Sequence, residues 1–517
     1  MNVVPLERPR VAPDRVHRGS RAVRPRELVQ RVRLIDTLEH DSARPLVMLT
    51  APAGYGKTIV LRQWEAASER PFAWVTPDGT GHDPTTLERS VAVAIGRAGV
   101  GVPRRRGGRV VVLDDAHLIE PGALETVVPL VLGWLPEDSQ LVLASRSELP
   151  VRLGRMRADR LVVEVGVQEL SLSPDEGAEL LAQAGLDLDP GELEALVRRT
   201  GGWPVALELA ALSWRRLPPA ADCASLVHGD DHLLCQYFRS EILDALSPER
   251  VRFLTRSSAL ERLSGPLCDA VLKQKGSGVM LAELARAGAP LAPVDASHEW
   301  YRLDTLFREM LQTELRRNEP ELQAVLHARA SDWYEREGDV DRAIDHARSA
   351  KDLRRMAALL WAELPRYLSE GRNETVQRWL EGRPIDSRVP QLALAAAHSH
   401  LAAGYGAGAE QCARSASAGL VPDTEDSMRA ERAGVLIVEA WMARSGIRAM
   451  GEAAERSSEL LPEDSPWRAN CCFLSGSAAL LLGSVSEAER QLQEGAARGA
   501  AVALDAAALC LAQLAVV

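Results

Sequence analysis

Aromatic residues make up only 4% of this 517-residue chain, and no stretch approaches the roughly 18 consecutive apolar residues that a membrane-spanning helix requires. A helical membrane protein is thereby excluded. The opening segment, Met1 to Arg33, is rich in Arg and Pro and has no apolar centre, so it has the form of neither a secretory signal nor an anchor. Seven cysteines lie far apart except for the adjacent Cys471 and Cys472. None has zinc-ligand spacing, and they read as buried thiols of a reducing compartment. Lysine is scarce and the net charge is -11, which argues against the broad basic footprint of a nucleic-acid-binding chain. No zinc, haem, Ser/His/Asp or Cys/His constellation is visible. These absences predict a cytoplasmic protein with no membrane partner.

What the chain has instead is length and helical composition. At 517 residues and 46% hydrophobic content it is too long for one core and predicts three or four units. From Pro45 to about Val165 short apolar runs alternate with amphipathic stretches: Leu46–Leu49, Phe72–Val75, Val110–Leu113, Leu141–Ala144 and Leu161–Val163. Five buried-type strands separated by helices predict a parallel sheet covered on both faces. After Val165 the pattern turns helical, with a clear start at Ser173-Pro174-Asp175-Glu176, where Ser caps and Pro takes the first turn. Pro218–Asp222 interrupts it, and Trp300–Leu303 reads as one edge of a small β-ribbon within a winged-helix unit. Beyond Glu321 helix pairs turn on small residues at Gly338, Gly404 and Gly483, as in an α-solenoid of tetratricopeptide type. The pattern still runs at Val517, so the last repeat is expected to lack its partner.

The chemistry is concentrated in the first sheet. Ala51-Pro52-Ala53-Gly54-Tyr55-Gly56-Lys57-Thr58 lies between a strand and a helix and has the form of a P-loop. There, backbone N–H groups and a helix N-terminus face phosphate, Lys57 reaches the β/γ oxygens, and the Thr58 hydroxyl holds Mg2+. Ala51 stands where the usual pattern has glycine. Val110–Leu113 ends in Asp114 and Asp115, the form of a Walker B segment, in which Asp114 holds the metal and Asp115 orients the attacking water. Arg146 follows the next strand and is a candidate γ-phosphate sensor, whereas His117 reads as a turn residue and the tract Pro103–Gly108 as a solvated loop. The expected ligand is ATP with Mg2+.

With these residues in place, the sequence resembles the MalT/LuxR-type branch of the STAND ATPases over nearly its whole length. The P-loop matches that branch, including the missing first glycine. Val23-Arg24-Pro25-Arg26-Glu27-Leu28 is similar to the arm before the P-loop, and Phe72–Val75 followed by Asp83-Pro84 is similar to the second strand region. Gly201-Gly202-Trp203-Pro204-Val205-Ala206-Leu207 resembles the motif whose proline packs on adenine, which implicates Pro204. Arg262–Ala270 and Trp300–Phe307 resemble the family's winged helix, with Asp304 and Thr305 where the family has a histidine that touches the ADP β-phosphate. An aspartate there would repel that phosphate. The family's C-terminal helix-turn-helix has no counterpart before Val517.

The resulting expectation is a multidomain α/β plus all-α chain. It has an N-terminal arm (1–30), a P-loop NTPase domain with a parallel sheet (31–165), a helical domain (166–235), a winged helix (236–325) and an incomplete tetratricopeptide-like superhelix (326–517). The resemblance implies an ATP-dependent regulatory switch with slow hydrolysis. It also implies an inducer on the solenoid, self-association when active, and transcription regulation as the context. Two alternatives stand beside it: a truncated regulator acting as an interaction module without DNA binding, and a turnover ATPase that remodels a substrate.

Overall fold

Alternation within each strand explains how one sheet serves two cores. In β1 (Leu46–Thr50), Leu46 and Met48 face one side while Val47 and Leu49 face the other. The same division holds in β3 (Val110–Leu113) and β4 (Gln140–Ser145), both fully buried. Val47, Leu49, Val112 and Val142 pack against Leu34 and Leu38 of α1 (Val32–His40) and Val60, Leu61 and Trp64 of α2 (Lys57–Ala67). Leu46, Met48, Val111 and Leu143 pack against Leu87 and Val91 of α3 (Pro84–Ala98) and Leu124, Val127 and Val131 of α4 (Pro121–Trp134). Burying each such side chain stabilises the fold by about 1.5–3 kcal/mol before entropy is counted. The structure is a computed structural model and describes residues 28–77, 83–98, 108–186, 188–214, 228–382, 388–420, 428–501 and 503–516. The arm Val23–Glu27, the tract Pro103–Gly107 and the break Pro218–Asp222 lie outside the described residues.

With β2 (Phe72–Val75) and β5 (Val162–Val165), the sheet has the order β2-β3-β4-β1-β5 and every pairing is parallel. The expected five parallel strands are therefore present. Their order has a consequence that no strand reveals alone: β4 lies between β1 and β3, so the residues after all three strands share one carboxyl edge. Ligands of open α/β sheets bind at such an edge.

The described residues divide into two compact units, Met1–Leu254 with Val279–Thr313, and Thr255–Gly278 with Glu314–Val517. The first holds the sheet and a set of capped helices. Ser173 accepts from the Glu176 N–H at 3.2 Å while the Glu176 carboxylate accepts from the Ser173 N–H at 2.9 Å, the reciprocal box expected of that sequence. Asp189 caps Pro190–Thr200, which ends at left-handed Gly201 (φ 61°), and Asp231 caps His232–Glu241. The same unit contains the antiparallel ribbon of Leu291–Pro293 and Trp300–Leu303.

The second unit is a helical solenoid. Its pairs are Pro320–Arg336 with Val340–Ser349, Leu353–Ser369 with Asn373–Leu380, Pro390–Ala402 with Gly406–Ala418, Arg429–Met442 with Ile447–Leu460, and Trp467–Leu481 with Val485–Gly499. A glycine with positive φ stands at each intrapair turn: Gly338, Gly371, Gly404, Gly446 and Gly483. Gly371 and Gly446 extend the turns expected from sequence. The first helices of successive pairs converge, so that Trp361 stacks on Trp467 at 4.7 Å and His398 lies 4.4 Å from Trp467. Gly434 makes room for this cluster, since a Cβ there would stand 2.8 Å from both Leu394 Cδ1 and the Trp361 ring.

Gly434→Val is therefore expected to destabilise the solenoid by about 1–3 kcal/mol, the usual cost of overpacking a dense core. Urea unfolding followed by tryptophan emission measures this, and an unchanged midpoint would contradict the packing described.

Candidate functional site

The loop after β1 is shaped by two glycines with different tasks. Gly56 (φ 76°) has open space around it and is needed for its left-handed backbone, which turns the chain directly into α2 without a side-chain cap. Gly54 (φ 81°) is needed for its missing side chain as well, because a Cβ there would lie 2.8 Å from Trp203 Nε1, the Tyr237 hydroxyl and Val205 Cγ2. Ala51 needs no such freedom. It is buried, with its N–H donating to the Ser145 carbonyl at 3.2 Å and no positive φ. The departure from the usual glycine is thus harmless to the loop.

Lys57 begins α2 but its side chain folds back over the loop, donating to the Ala51 carbonyl at 2.6 Å and the Pro52 carbonyl at 3.0 Å. Burial, followed by the nearby Arg146 guanidinium, lowers its proton affinity to about 8, although Asp115 and Asp114 oppose the shift. The next residue, Thr58, donates its hydroxyl proton to Asp114 Oδ2 at 2.9 Å. The second Asp114 oxygen accepts from the Asp115 N–H at 3.1 Å. The two oxygens expected to hold Mg2+ are therefore adjacent, and their hard character fits that ion. Among the described residues there is no cluster of three or more His, Cys, Asp or Glu able to hold a metal. Phosphate oxygens and water would have to complete such a coordination shell.

Asp115 is in the left-handed region (φ 52°), a conformation with a modest cost for aspartate. Its Oδ1 stands 4.0 Å from Arg146 Nε and 3.9 Å from His117 Nδ1. Burial lowers the His117 pKa, so the ring is neutral near pH 7. Arg146 follows β4, as expected, and its Nη1 donates to Glu241 Oε2 at 3.2 Å.

The helical segment supplies the other wall. Trp203 Nε1 donates to the Ala53 carbonyl at 3.2 Å, and its ring stacks between Tyr55 (6.2 Å) and Phe238 (5.3 Å) with Tyr237 edge-on. A cavity of about 610 Å³ lies between the walls. Gly54, Gly56, Lys57, Thr58, Asp115 and Arg146 line its polar end, while Leu28, Val29, Leu172, Leu180, Pro204 and Val205 provide apolar surface. Pro204 thus lines the same cavity as the loop. Arg31 pins the nearby chain by donating to the Leu170 and Ser171 carbonyls at 2.9 and 3.1 Å and pairing with Glu176 at 3.1 Å.

Sequence reasoning missed Arg31, Trp203, Tyr237 and Glu241. Trp203 was visible inside the Gly201–Leu207 motif, and Tyr237 and Glu241 are one turn apart on a capped helix, but neither pattern reveals what the helix faces. Asp304 is half-buried, and its charge acts on Tyr55 of the phosphate loop. Its Oδ1 accepts from the Leu306 and Phe307 N–H groups at 3.0 and 3.1 Å, and it does not line the cavity. An aspartate immediately before a helix satisfies open backbone donors, and that local role engages the carboxylate.

Comparison with known proteins follows the same regions. The model of the MalT winged helix domain matches residues 239–323. The transcriptional regulator MalT of Vibrio cholerae is 27% identical over 375 residues, covering 66% of this chain and 41% of that protein. The chain is thus similar to MalT-type regulators over about two thirds of its length. The serine/threonine-protein kinase PknK of Mycobacterium tuberculosis is 29% identical over 364 residues, covering 64% of the MalT-like chain and 33% of the kinase. The chain thus spans between a third and about two fifths of the length of these curated relatives. The crystal structure of a STAND protein with a tetratricopeptide repeat sensor from Pyrococcus horikoshii aligns at 15% identity with a TM-score of 0.43, over 94% of this chain and 79% of that one.

If Lys57 holds phosphate, its lowered pKa sets the pH dependence and its sign. Below about 8 the free protein already carries the ammonium ion, whereas above it binding must draw a proton from solvent. Triphosphate affinity is expected to be flat from pH 6.5 to 7.5 and then to fall, by at most about tenfold per unit, as pH rises beyond 8. Titration calorimetry in buffers of different ionisation enthalpy reads both the affinity and the proton uptake; a flat profile to pH 9.5 would contradict this.

Proposed function

We propose that this MalT-like chain is an ATP-binding signal-transduction switch that regulates transcription through nucleotide- and inducer-controlled self-association. The observation that carries the reading is the cavity bounded on one side by Gly54–Thr58 and Arg146 and on the other by Pro204, Tyr237 and Glu241. A ligand there touches the sheet and the helices at once, so its occupancy acts on the contact between them.

In this reading the backbone from Ala51 to Thr58 cradles the phosphates and the α2 N-terminus faces them. The Lys57 ammonium leaves the loop carbonyls for phosphate oxygens, a stronger charge-assisted partner. Thr58 and Asp114 hold Mg2+, which supplies charge neutralisation on the phosphates. Asp115 orients water, Arg146 reads the terminal phosphate, and Pro204 with its apolar neighbours receives the base. Hydrolysis is slow and resets the switch.

The solenoid is the sensor, of tetratricopeptide type. A second cavity of about 340 Å³, lined by residues including Arg414, Glu439, Met442, Arg444 and Met450, has room for a small inducer. The cellular setting is cytoplasmic, in keeping with the fact that no helix among the described residues is long and apolar enough to cross a membrane.

Equilibrium binding of ATP and ADP to the wild type and to Lys57→Ala tests the core of this reading. The variant is expected to lose at least about 30-fold in ATP affinity, because a buried cationic partner of a phosphate is removed. Asp115→Asn is expected to retain binding and lower turnover. In sedimentation velocity, the wild type is expected to form larger species with ATP than with ADP. Equal ATP binding by wild type and Lys57→Ala would sink the proposal, and brisk turnover without inducer would favour a remodelling ATPase.

A further inference from the structure

Arg146 stands between two carboxylates that come from different parts of the first unit. Its Nε is 4.0 Å from Asp115 Oδ1, across the carboxyl edge of the sheet. Its Nη1 donates to Glu241 Oε2 at 3.2 Å, and Glu241 is the last residue of the helix His232–Glu241. Tyr237, one turn earlier on that helix, packs edge-on against Trp203, and its hydroxyl occupies the space where a Gly54 side chain would lie. The helix thus touches the phosphate loop through Tyr237 and the sheet edge through Glu241. Both Arg146 and Glu241 line the cavity that also contains Lys57 and Thr58.

We infer that Glu241 is a positioning residue that holds Arg146 in competition with the terminal phosphate of a nucleoside triphosphate. The inference rests on the reading of the cavity as an ATP site. A guanidinium binds carboxylate and phosphate oxygens with the same fork of donors, so one group can replace the other. A triphosphate offers Arg146 a γ-phosphate that a diphosphate lacks. When Arg146 transfers, the Glu241 carboxylate is left at the C-terminal end of its own helix, where the backbone dipole is already negative. The helix then has one fewer tie to the sheet and keeps Tyr237 against the loop. ATP, and not ADP, loosens this wall of the cavity.

Both partners are more than a third exposed, at 37% and 39%, so solvent screens the pair and the coupling is small. Glu241→Gln preserves size and removes the charge. It is expected to tighten ATP binding by about two- to fivefold while leaving ADP affinity unchanged. Glu241→Asp keeps the charge and is expected to preserve most of the wild-type ATP-to-ADP ratio. In an Arg146→Ala background, Glu241→Gln is expected to change neither affinity. The experiment is fluorescence titration of both nucleotides with magnesium, on the full chain, with thermal unfolding of each variant measured alongside. A wild-type ratio in Glu241→Gln, an equal change for both nucleotides, or an effect that persists without Arg146 would overturn the assignment. Absence of ATP binding by the wild type would instead overturn the nucleotide reading beneath it. Should Glu241→Gln fail to fold, Glu241→Ala decides: a rise in the ATP-to-ADP ratio that vanishes in the Arg146→Ala background supports the assignment, and an equal change for both nucleotides overturns it.

Discussion

Gly54 has no side chain, and three groups occupy the place one would take: the Trp203 indole nitrogen, the Tyr237 hydroxyl and a Val205 methyl. The hydrogen bond from Trp203 to the Ala53 carbonyl adds a directional tie at the same point. Through this contact the phosphate loop, the helix Pro204–Trp214 and the helix His232–Glu241 share one location. The Trp203–Phe238 stack continues to Phe307 at 5.1 Å, so the aromatic chain reaches the helix that follows Asp304. In a protein with so few aromatics, their grouping beside the loop gives this wall its stiffness. Dense aromatic packing resists gradual deformation.

Electrostatics at the cavity is arranged so that every charge has a weak partner. Lys57 is satisfied by two loop carbonyls, Arg146 by Glu241, and Asp114 by the Thr58 hydroxyl and a backbone N–H. A buried charge without a partner would cost several kcal/mol, and each of these three has one. The lowered proton affinity of Lys57 expresses the same balance: carbonyl dipoles and two carboxylates only partly replace the water lost on burial.

The solenoid solves a different problem. Its paired helices are connected by glycines with positive φ, which keep the turns short and the helices close. Alanine-rich helices such as Pro390–Ala402 then approach until Trp361, His398 and Trp467 meet. Burial keeps His398 neutral, with its pKa lowered to about 3, so this cluster is insensitive to physiological pH. Its centre is closed by side chains, and the cavity between Gly406–Ala418, Arg429–Met442 and the turn after them lies elsewhere in the unit.

Much of this was legible in the chain alone, because local chemistry leaves periodic marks. Five apolar runs identify five strands, since a strand buried on both faces is built mostly from apolar residues. The spacing of Gly54, Gly56, Lys57 and Thr58 follows from what a backbone needs to curl around an anion. Asp114 and Asp115 mark a strand end, and Ser173 with Glu176 marks a helix start. Tertiary structure alone decided three matters. Strand order put β4 between β1 and β3 and thereby set the residues after β4, Arg146 among them, between the phosphate loop and Asp115. Packing made Gly54 the meeting point of Trp203 and Tyr237, which lie some 150 and 180 positions further along the chain. A helix start drew the Asp304 carboxylate onto its own backbone. Hydrophobic pattern and turn chemistry act within a few residues, whereas pairings between distant segments depend on how whole surfaces fit, and that information is distributed over every buried side chain.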